Sequence, residues 1–203
     1  MSRTRTLARL PAVDACSCAR FVALLRAINV GGRNIIPMTA LRDCMTDLGA
    51  NDVATYIQSG NVLFDGAGRN ADAWTTRIEV GLSERFGYGA TVLLRSHAQL
   101  RAVVQGAPPG FGDEPDRYRD DVLFLKEPLT ATEAIVQVQA REGVDVAVAG
   151  PGVLYFSRLS ALATHSHLTR LVGMPIYKRM TIRNWRTTST LLTMLDEREA
   201  SDP

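Results

Sequence analysis

The residues best placed to do chemistry lie around a glycine pair that follows an early apolar run. The polar and glycine residues of this segment are Arg26, Asn29, Gly31, Gly32, Arg33 and Asn34. Where a strand ends in glycines and a helix begins soon after, backbone N–H groups and the positive end of the helix dipole can surround an anion. The spacing matches neither a phosphate-binding P-loop nor G-x-G-x-x-G. A tight turn that requires positive φ is the alternative explanation of the two glycines.

Two more clusters carry polar side chains that a ligand could use. The first surrounds a glycine at a strand junction, where ordinary turn chemistry explains the same residue types. The second is Arg183-Asn184-Trp185, in which Asn184 can cap a helix and an arginine can stack on the indole. Together with the glycine-pair segment, the candidate ligand-binding residues are Gln58, Ser59, Asn61 and Arg183.

The sequence assigns no catalytic residue and no cofactor, and it predicts no metal site. His165 and His167 are two residues apart on a predicted helix, so they point to different faces and cannot bind one metal as an i, i+4 pair would. The three cysteines, Cys16, Cys18 and Cys44, match no disulfide framework and no four-ligand zinc pattern. We therefore expect free thiols and a cytoplasmic location. Whether the protein is an enzyme stays open at this point.

Charge and hydropathy argue against several classes of protein. Hydrophobic residues make up 46% of the chain, which is ordinary for a globular protein, and no apolar run approaches the roughly 20 residues of a spanning helix. Of the 23 basic and 21 acidic residues, four and one lie in residues 1–20, which leaves 19 against 20 in the rest. This near-neutral body argues against bulk electrostatic binding of nucleic acid. Between Val146 and Leu195 there are six basic residues and no acidic one, which keeps a local anion site open.

The apolar pattern predicts the elements that must position these clusters. The first half reads as strands at 21–25, 53–57, 62–64 and 90–94, with helices over 37–48 and 74–86. The second half repeats this order with strands at 121–125, 144–148, 153–156 and 177–181 and helices at 131–140 and 159–171, followed by a C-terminal helix. The expected fold is α+β, with two tandem ferredoxin-like βαββαβ subdomains.

Composition also predicts the division of the chain. Residues 1–20 form a disordered N-terminal extension, 21–105 the first ferredoxin-like subdomain, 106–120 a linker and 121–203 the second ferredoxin-like subdomain with its C-terminal helix. Proline and glycine between residues 106 and 112 disfavour regular structure and place the linker there.

Taken together, the three clusters resemble a bacterial family known as domain of unknown function 1697. The matching stretches are 24–32 with 36–38, then 55–62, then 183–185. The resemblance implies two ferredoxin-like α+β subdomains and supplies no activity. The chain departs from the family pattern at Ala27, where members usually have glycine, and at 157–167, where members have a polar, glycine-containing segment. Residues 1–20 lie outside the resemblance.

Three hypotheses about function follow from the sequence. In the first, the protein binds a small anionic or nucleotide-like ligand at its strand-end loops. In the second, it is a regulatory or protein-interaction module without catalysis. The third, RNA binding, is the weakest because the body of the protein is near neutral. The oligomeric state is not predicted.

Overall fold

The structure, a computed structural model, describes residues 18–26, 28–29, 35–68, 70–87 and 89–201. Residues 1–17 of the expected N-terminal extension lie outside these ranges, and so do Gly31, Gly32, Arg33 and Asn34 of the glycine-pair segment. Within the described ranges, no helix is long and apolar enough to cross a membrane.

The first half is a four-stranded antiparallel sheet in the order β2-β3-β1-β4. Its elements are β1 (Cys18–Arg26), α1 (Met38–Asp47), β2 (Asn51–Tyr56), β3 (Asn61–Ala67), α2 (Ala71–Phe86), β4 (Thr91–Ser96) and α3 (His97–Gln105). Both faces of β1 are buried, as its continuous apolar run indicates. Phe21 and Leu25 pack in a core with α1 and α2, whereas Val22 and Leu24 face the second half of the chain.

The second half is another four-stranded antiparallel sheet, in the order β6-β7-β5-β8. Its elements are β5 (Tyr118–Leu125), α4 (Ala131–Gln137), β6 (Asp145–Gly150), β7 (Val153–Leu159), α5 (Leu168–Leu171), β8 (Met180–Asn184) and α6 (Trp185–Ala200). The continuous helix predicted over 159–171 is wrong, because β7 runs to Leu159 and a 3₁₀ turn (Ser160–His165) precedes the four-residue α5. A buried carboxylate explains the break. Asp145 Oδ2 accepts the backbone N–H of His167 at 2.8 Å, a donor that a continuous helix would use within itself.

The two sheets have the same topology, and the predicted fold class is confirmed. Each places its four strands in the order second, third, first, fourth, which is the ferredoxin-like arrangement. The registers match as well, because Val22 of β1 lies opposite Arg95 of β4 and Val122 of β5 lies opposite Arg183 of β8. Arg95 and Arg183 therefore occupy equivalent positions in two structural repeats.

A shared core joins the halves. Val22 and Leu24 of β1 meet Val122 and Phe124 of β5 in one cluster of buried residues, which also contains apolar side chains of α3 and α6. Burial of each large side chain contributes about 1.5–3 kcal/mol. The two sheets and the helices α3 and α6 therefore form one packed unit rather than two separate bodies.

Helix α3 was not predicted from the sequence. It follows β4 without a turn, and it begins with a capping box in which the Ser96 side chain accepts from the Gln99 N–H and the Gln99 side chain accepts from the Ser96 N–H. The Ser-x-x-Gln spacing was the available signal. Asn184 holds the equivalent cap at the start of α6, as the sequence predicted, and accepts from the N–H of Thr187 at 2.7 Å.

Candidate functional site

Arg183, the C-terminal member of the predicted ligand-binding set, is a buried structural residue that joins the halves. It is 8% exposed, and its Nε donates to Asn61 Oδ1 at 2.5 Å. Its other nitrogens donate to Leu25 O (2.9 Å), Ser59 O (3.0 Å), Gly60 O (3.3 Å), Thr181 Oγ1 (2.8 Å) and Ile182 O (2.8 Å). Burial without a carboxylate partner among these contacts lowers the pKa of Arg183 to about 10. Every guanidinium nitrogen thus has an acceptor within the protein.

The amides of the predicted set are also occupied by neighbouring groups. Asn61 is fully buried, and its Nδ2 donates to Ser59 Oγ at 3.1 Å while its Oδ1 accepts from the arginine. Asn29 bridges two loops, because its Nδ2 donates to the carbonyls of Ile36 (3.1 Å) and Gln58 (3.0 Å) and its Oδ1 accepts from the Ile36 N–H (2.7 Å). The Gln58 residue itself is exposed. These contacts shape the loops around the end of β1.

Arg26 takes no part in these hydrogen bonds and contacts an aromatic ring instead. Its guanidinium carbon is 4.7 Å from the centre of the Tyr177 ring, and its Nε is buried without a hydrogen-bond partner among the described residues. The structure therefore joins Ser59, Asn61 and Arg183 by hydrogen bonds, and it places Arg26 on the ring of Tyr177, a residue that also acts electrostatically on Arg183.

Arg95 makes the reciprocal contact from the first half to the second. Its NH2 nitrogen donates to Leu125 O at 2.6 Å and to Gly152 O at 3.1 Å, and these two acceptors correspond to Leu25 and Gly60. Desolvation by burial lowers the pKa of Arg95 as well. Each fourth strand thus supplies an arginine that binds the end of the other half's first strand.

A cavity lies elsewhere, where β5 begins and α6 starts. It has a volume of about 660 Å³, within the range typical of small-molecule sites. We call it the α6 cavity. It is lined by Gly112, Pro115, Tyr118, Arg119, Asp120, Asp121, Arg158, Asn184, Trp185, Arg186 and Ser189.

A difference in helix length explains why the second half has this cavity. Helix α6 has 16 residues, and its last turns cover the equivalent edge of the first half through Asp196, which contacts His97 at 2.6 Å, and Arg198, which pairs with Asp52 at 3.3 Å. Helix α3 has only nine residues and ends at Gln105. The chain then turns through prolines instead of continuing over the second sheet, and the corresponding edge stays open.

Charged side chains of both signs line the α6 cavity. Asp121 pairs with Arg158 at 3.0 Å, and desolvation by burial raises the pKa of the Asp121 carboxyl despite this partner. Asp120 Oδ2 accepts from the Gly112 N–H at 3.0 Å, while Asp120 Oδ1 is buried without a hydrogen-bond partner in the described part of the chain. The wall therefore contains one ion pair, and each of its two carboxylates has a buried oxygen without a hydrogen-bond partner in the described part of the chain.

Two arginines of the α6 cavity have guanidinium groups that are available to a ligand. Within the ranges that the structure describes, the guanidinium groups of Arg119 and Arg186 make no hydrogen bond and no ion pair, and both residues are exposed. The charge of Arg119 acts on the nearby Asp121 carboxylate and favours its ionised form. Arg186 lies in the first turn of α6, which contains no acidic residue. Because the first turn of a helix also leaves backbone N–H groups without intrahelical acceptors, this end of the cavity is electropositive.

A histidine and two carboxylates form the metal-like cluster that the described residues contain. Ligand atoms of His97, Asp196 and Glu199 lie within 4.8 Å of one another. Arg101 is already bound there, because its NH2 nitrogen donates to Asp196 at 2.9 Å and to Glu199 at 2.8 Å. The guanidinium supplies the positive charge that a metal ion would bring. The cluster is best understood as a polar link between α3 and α6.

Sequence reasoning missed most of the α6 cavity. Asp120 and Asp121 belong to an acidic stretch over 113–121, and Arg186 is one of the six basic residues between Val146 and Leu195 and a candidate partner for the neighbouring indole. Adjacent carboxylates at the start of an apolar strand and an arginine in the first turn of a helix were the available signals, because each is unfavourable for its element.

Comparisons with known proteins agree with the fold. A family model described as a protein of unknown function (DUF1697) matches residues 18–155, more than half of the chain. No curated protein matches the chain. A solved structure, the conserved bacterial protein SP0830 from Streptococcus pneumoniae, is similar with 27% sequence identity and a TM-score of 0.77. That likeness covers 88% of this chain and 99% of the other. This chain therefore belongs to the DUF1697 family of proteins of unknown function.

Proposed function

We propose that this protein binds a small anionic ligand in the α6 cavity. The observation that carries the proposal is the position of Arg119 and Arg186 beside the start of a 16-residue helix, with guanidinium groups that make no hydrogen bond or ion pair in the described structure. Guanidinium groups and free backbone N–H groups are the donors that proteins use for phosphate and carboxylate. The predicted ligand class is thus retained, but its site lies at the strand ends of the second half.

The location of Arg186 supports this proposal on energetic grounds. A positive charge in the first turn opposes the helix dipole and costs about 0.3–1 kcal/mol at an exposed position. A bound anion would reverse the sign of this contribution, because the arginine and the helix end would then act on the same negative charge. Arg158 does not contribute in this way, since Asp121 already neutralises it.

Thermal-shift measurements on the full chain test the proposal. A panel of phosphate, sulfate and phosphosugars should contain a ligand that, at 100 times its Kd, stabilises the protein by about 2.7 kcal/mol and raises the Tm by roughly 5–10 °C. The Arg186→Ala variant should keep or slightly raise its own Tm and lose this shift. Arg42, an exposed arginine of α1, provides the matched control, and Arg42→Ala should respond like the parent protein.

Two outcomes would contradict the proposal. The first is an anion-induced shift that survives in Arg186→Ala and in Arg119→Ala, because binding would then occur elsewhere. The second is the lack of any shift across the panel, which would favour an interaction module without a small ligand.

A further inference from the structure

The α6 cavity has an aromatic wall in addition to its arginines. Tyr118 and Trp185 both line it, and both are half-buried. Trp185 is held in place by an edge-to-face contact with Phe111, with ring centres 5.2 Å apart. Gly112 also lies against the indole, and a Cβ at this glycine would be only 2.0 Å from the Trp185 ring. The indole is therefore a fixed surface for a planar ligand.

Asp120 gives the same cavity a hydrogen-bond acceptor. The residue is 9% exposed, and its Oδ1 has no hydrogen-bond partner within the described residues. An ionised carboxylate can only accept, so this oxygen needs an N–H or O–H donor. Asp120 lines the cavity, and rotation about the broad χ2 torsion of aspartate would expose this oxygen to a ligand bound there.

We infer that the anion bound in the α6 cavity is a nucleoside monophosphate whose base has N–H donors, as guanine does. This inference rests on the proposed function, because it places the phosphate at Arg119 and Arg186. The base lies along the aromatic wall and donates to Asp120. Guanine presents a ring N–H beside an amino group, whereas adenine presents a ring acceptor there, which a carboxylate repels. An aliphatic amino acid would supply a donor and an anion but no ring for Tyr118 and Trp185.

Calorimetric titration of the full chain with GMP, AMP, ribose 5-phosphate and inorganic phosphate tests this inference. GMP should bind at least about tenfold more tightly than ribose 5-phosphate, because the base adds stacking on an aromatic side chain. GMP should also bind more tightly than AMP. Asp120→Asn should weaken GMP binding and leave ribose 5-phosphate binding unchanged. Asp116→Asn makes the same chemical change at an exposed position outside the cavity lining and should alter neither.

Fluorescence of the unmodified protein gives a second measurement that needs no variant. Trp185 is one of two tryptophans, and the other, Trp74, is 3% exposed in the core of the first half. GMP should therefore quench Trp185 emission, while ribose 5-phosphate should not.

The outcomes separate this inference from the proposed function. Equal affinity for GMP and ribose 5-phosphate, no quenching by GMP, or equal loss of both ligands in Asp120→Asn would overturn the assignment of the base and leave the anion site standing. Failure of all four compounds to bind would overturn both the inference and the proposed anion site.

Discussion

Replacing Arg183 with alanine should destabilise the protein far more than replacing an ordinary arginine. Its side chain crosses from β8 into the first half and donates to the end of β1 and to the hairpin before β3. The variant leaves Asn61 Oδ1 buried with no donor, since the arginine is the partner that this oxygen has in the described structure. A buried acceptor left in this state costs about 1–3 kcal/mol by itself.

The remaining contributions set the overall magnitude. Arg183 also donates to carbonyl oxygens, one of which, Gly60 O, keeps a second bond from the Leu25 N–H at 2.7 Å and loses less. Removal of the buried charge relieves a desolvation cost, which partly offsets the lost hydrogen bonds. We expect a net loss of about 3–5 kcal/mol, which lowers the Tm of a chain of this length by roughly 6–20 °C. Arg183→Lys should recover only a part of this loss, because an ammonium group cannot reproduce the planar fork.

Urea unfolding followed by tryptophan fluorescence measures the effect, with Arg42→Ala as a control expected to stay within about 0.5 kcal/mol of the parent. The slope of the free energy of unfolding against urea should be unchanged, because the folded state stays intact. The reasoning is refuted if Arg183→Ala unfolds within about 1 kcal/mol of the parent. A variant that kept its stability and lost ligand binding would instead restore Arg183 to the ligand site that the sequence predicted.

Two further predictions concern the core and the cavity wall. Tyr155 donates to Val103 O at 2.6 Å, and burial raises its pKa from 10.0 to about 12, so its contribution is fully present below pH 10 and is lost as the pH rises from 10 to 12. Tyr155→Phe should lower stability by about 1 kcal/mol at pH 7 and should flatten the alkaline decline of Tm, which melts at pH 9 to 12 would show. Gly112→Ala should cost more than about 1 kcal/mol, because φ is +88° there and the new Cβ meets Trp185. Thermal melts and a shifted Trp185 emission would report it, and unchanged values for both would contradict the close contact.

Most strands could be predicted because their signal is local. Alternating or continuous apolar residues decide which faces are buried, and β1, β5 and β7 were all found this way. The helix expected over 159–171 was wrong because a distant carboxylate, Asp145, accepts the N–H of His167. Periodicity cannot reveal a tertiary hydrogen bond of this kind. Helix α3 was missed because Ser96 ends a strand and caps a helix at the same time, which leaves no turn to mark the boundary.

The candidate site was predictable only in part, for a related reason. The sequence placed Ser59 and Asn61, which lie at one turn, in the same candidate site as Arg183 from a distant cluster, and the structure joins the three by hydrogen bonds. The sequence could not show that main-chain carbonyl groups of the first half accept hydrogen bonds from the Arg183 guanidinium. Main-chain acceptors exist at every residue, so only the register of the strands decides which ones a side chain reaches.

The two repeats differ at the α6 cavity, because the equivalent edge of the first half has a smaller cavity of about 280 Å³. Where β5 has Asp121, the equivalent position in β1 is Phe21, and where β7 has Arg158, the equivalent position in β3 is Gly66. The first half therefore fills this part of its sheet with an aromatic side chain that packs at 5.5 Å from Phe64, while the second half places an ion pair there. A buried ion pair is often no more stabilising than apolar residues of similar volume, so stability alone does not explain the exchange. The Asp121–Arg158 ion pair gives the α6 cavity a polar wall at the point where the short helix α3 leaves the sheet uncovered. A polar wall whose side chains are already held in place is what the proposed binding of a small charged ligand requires.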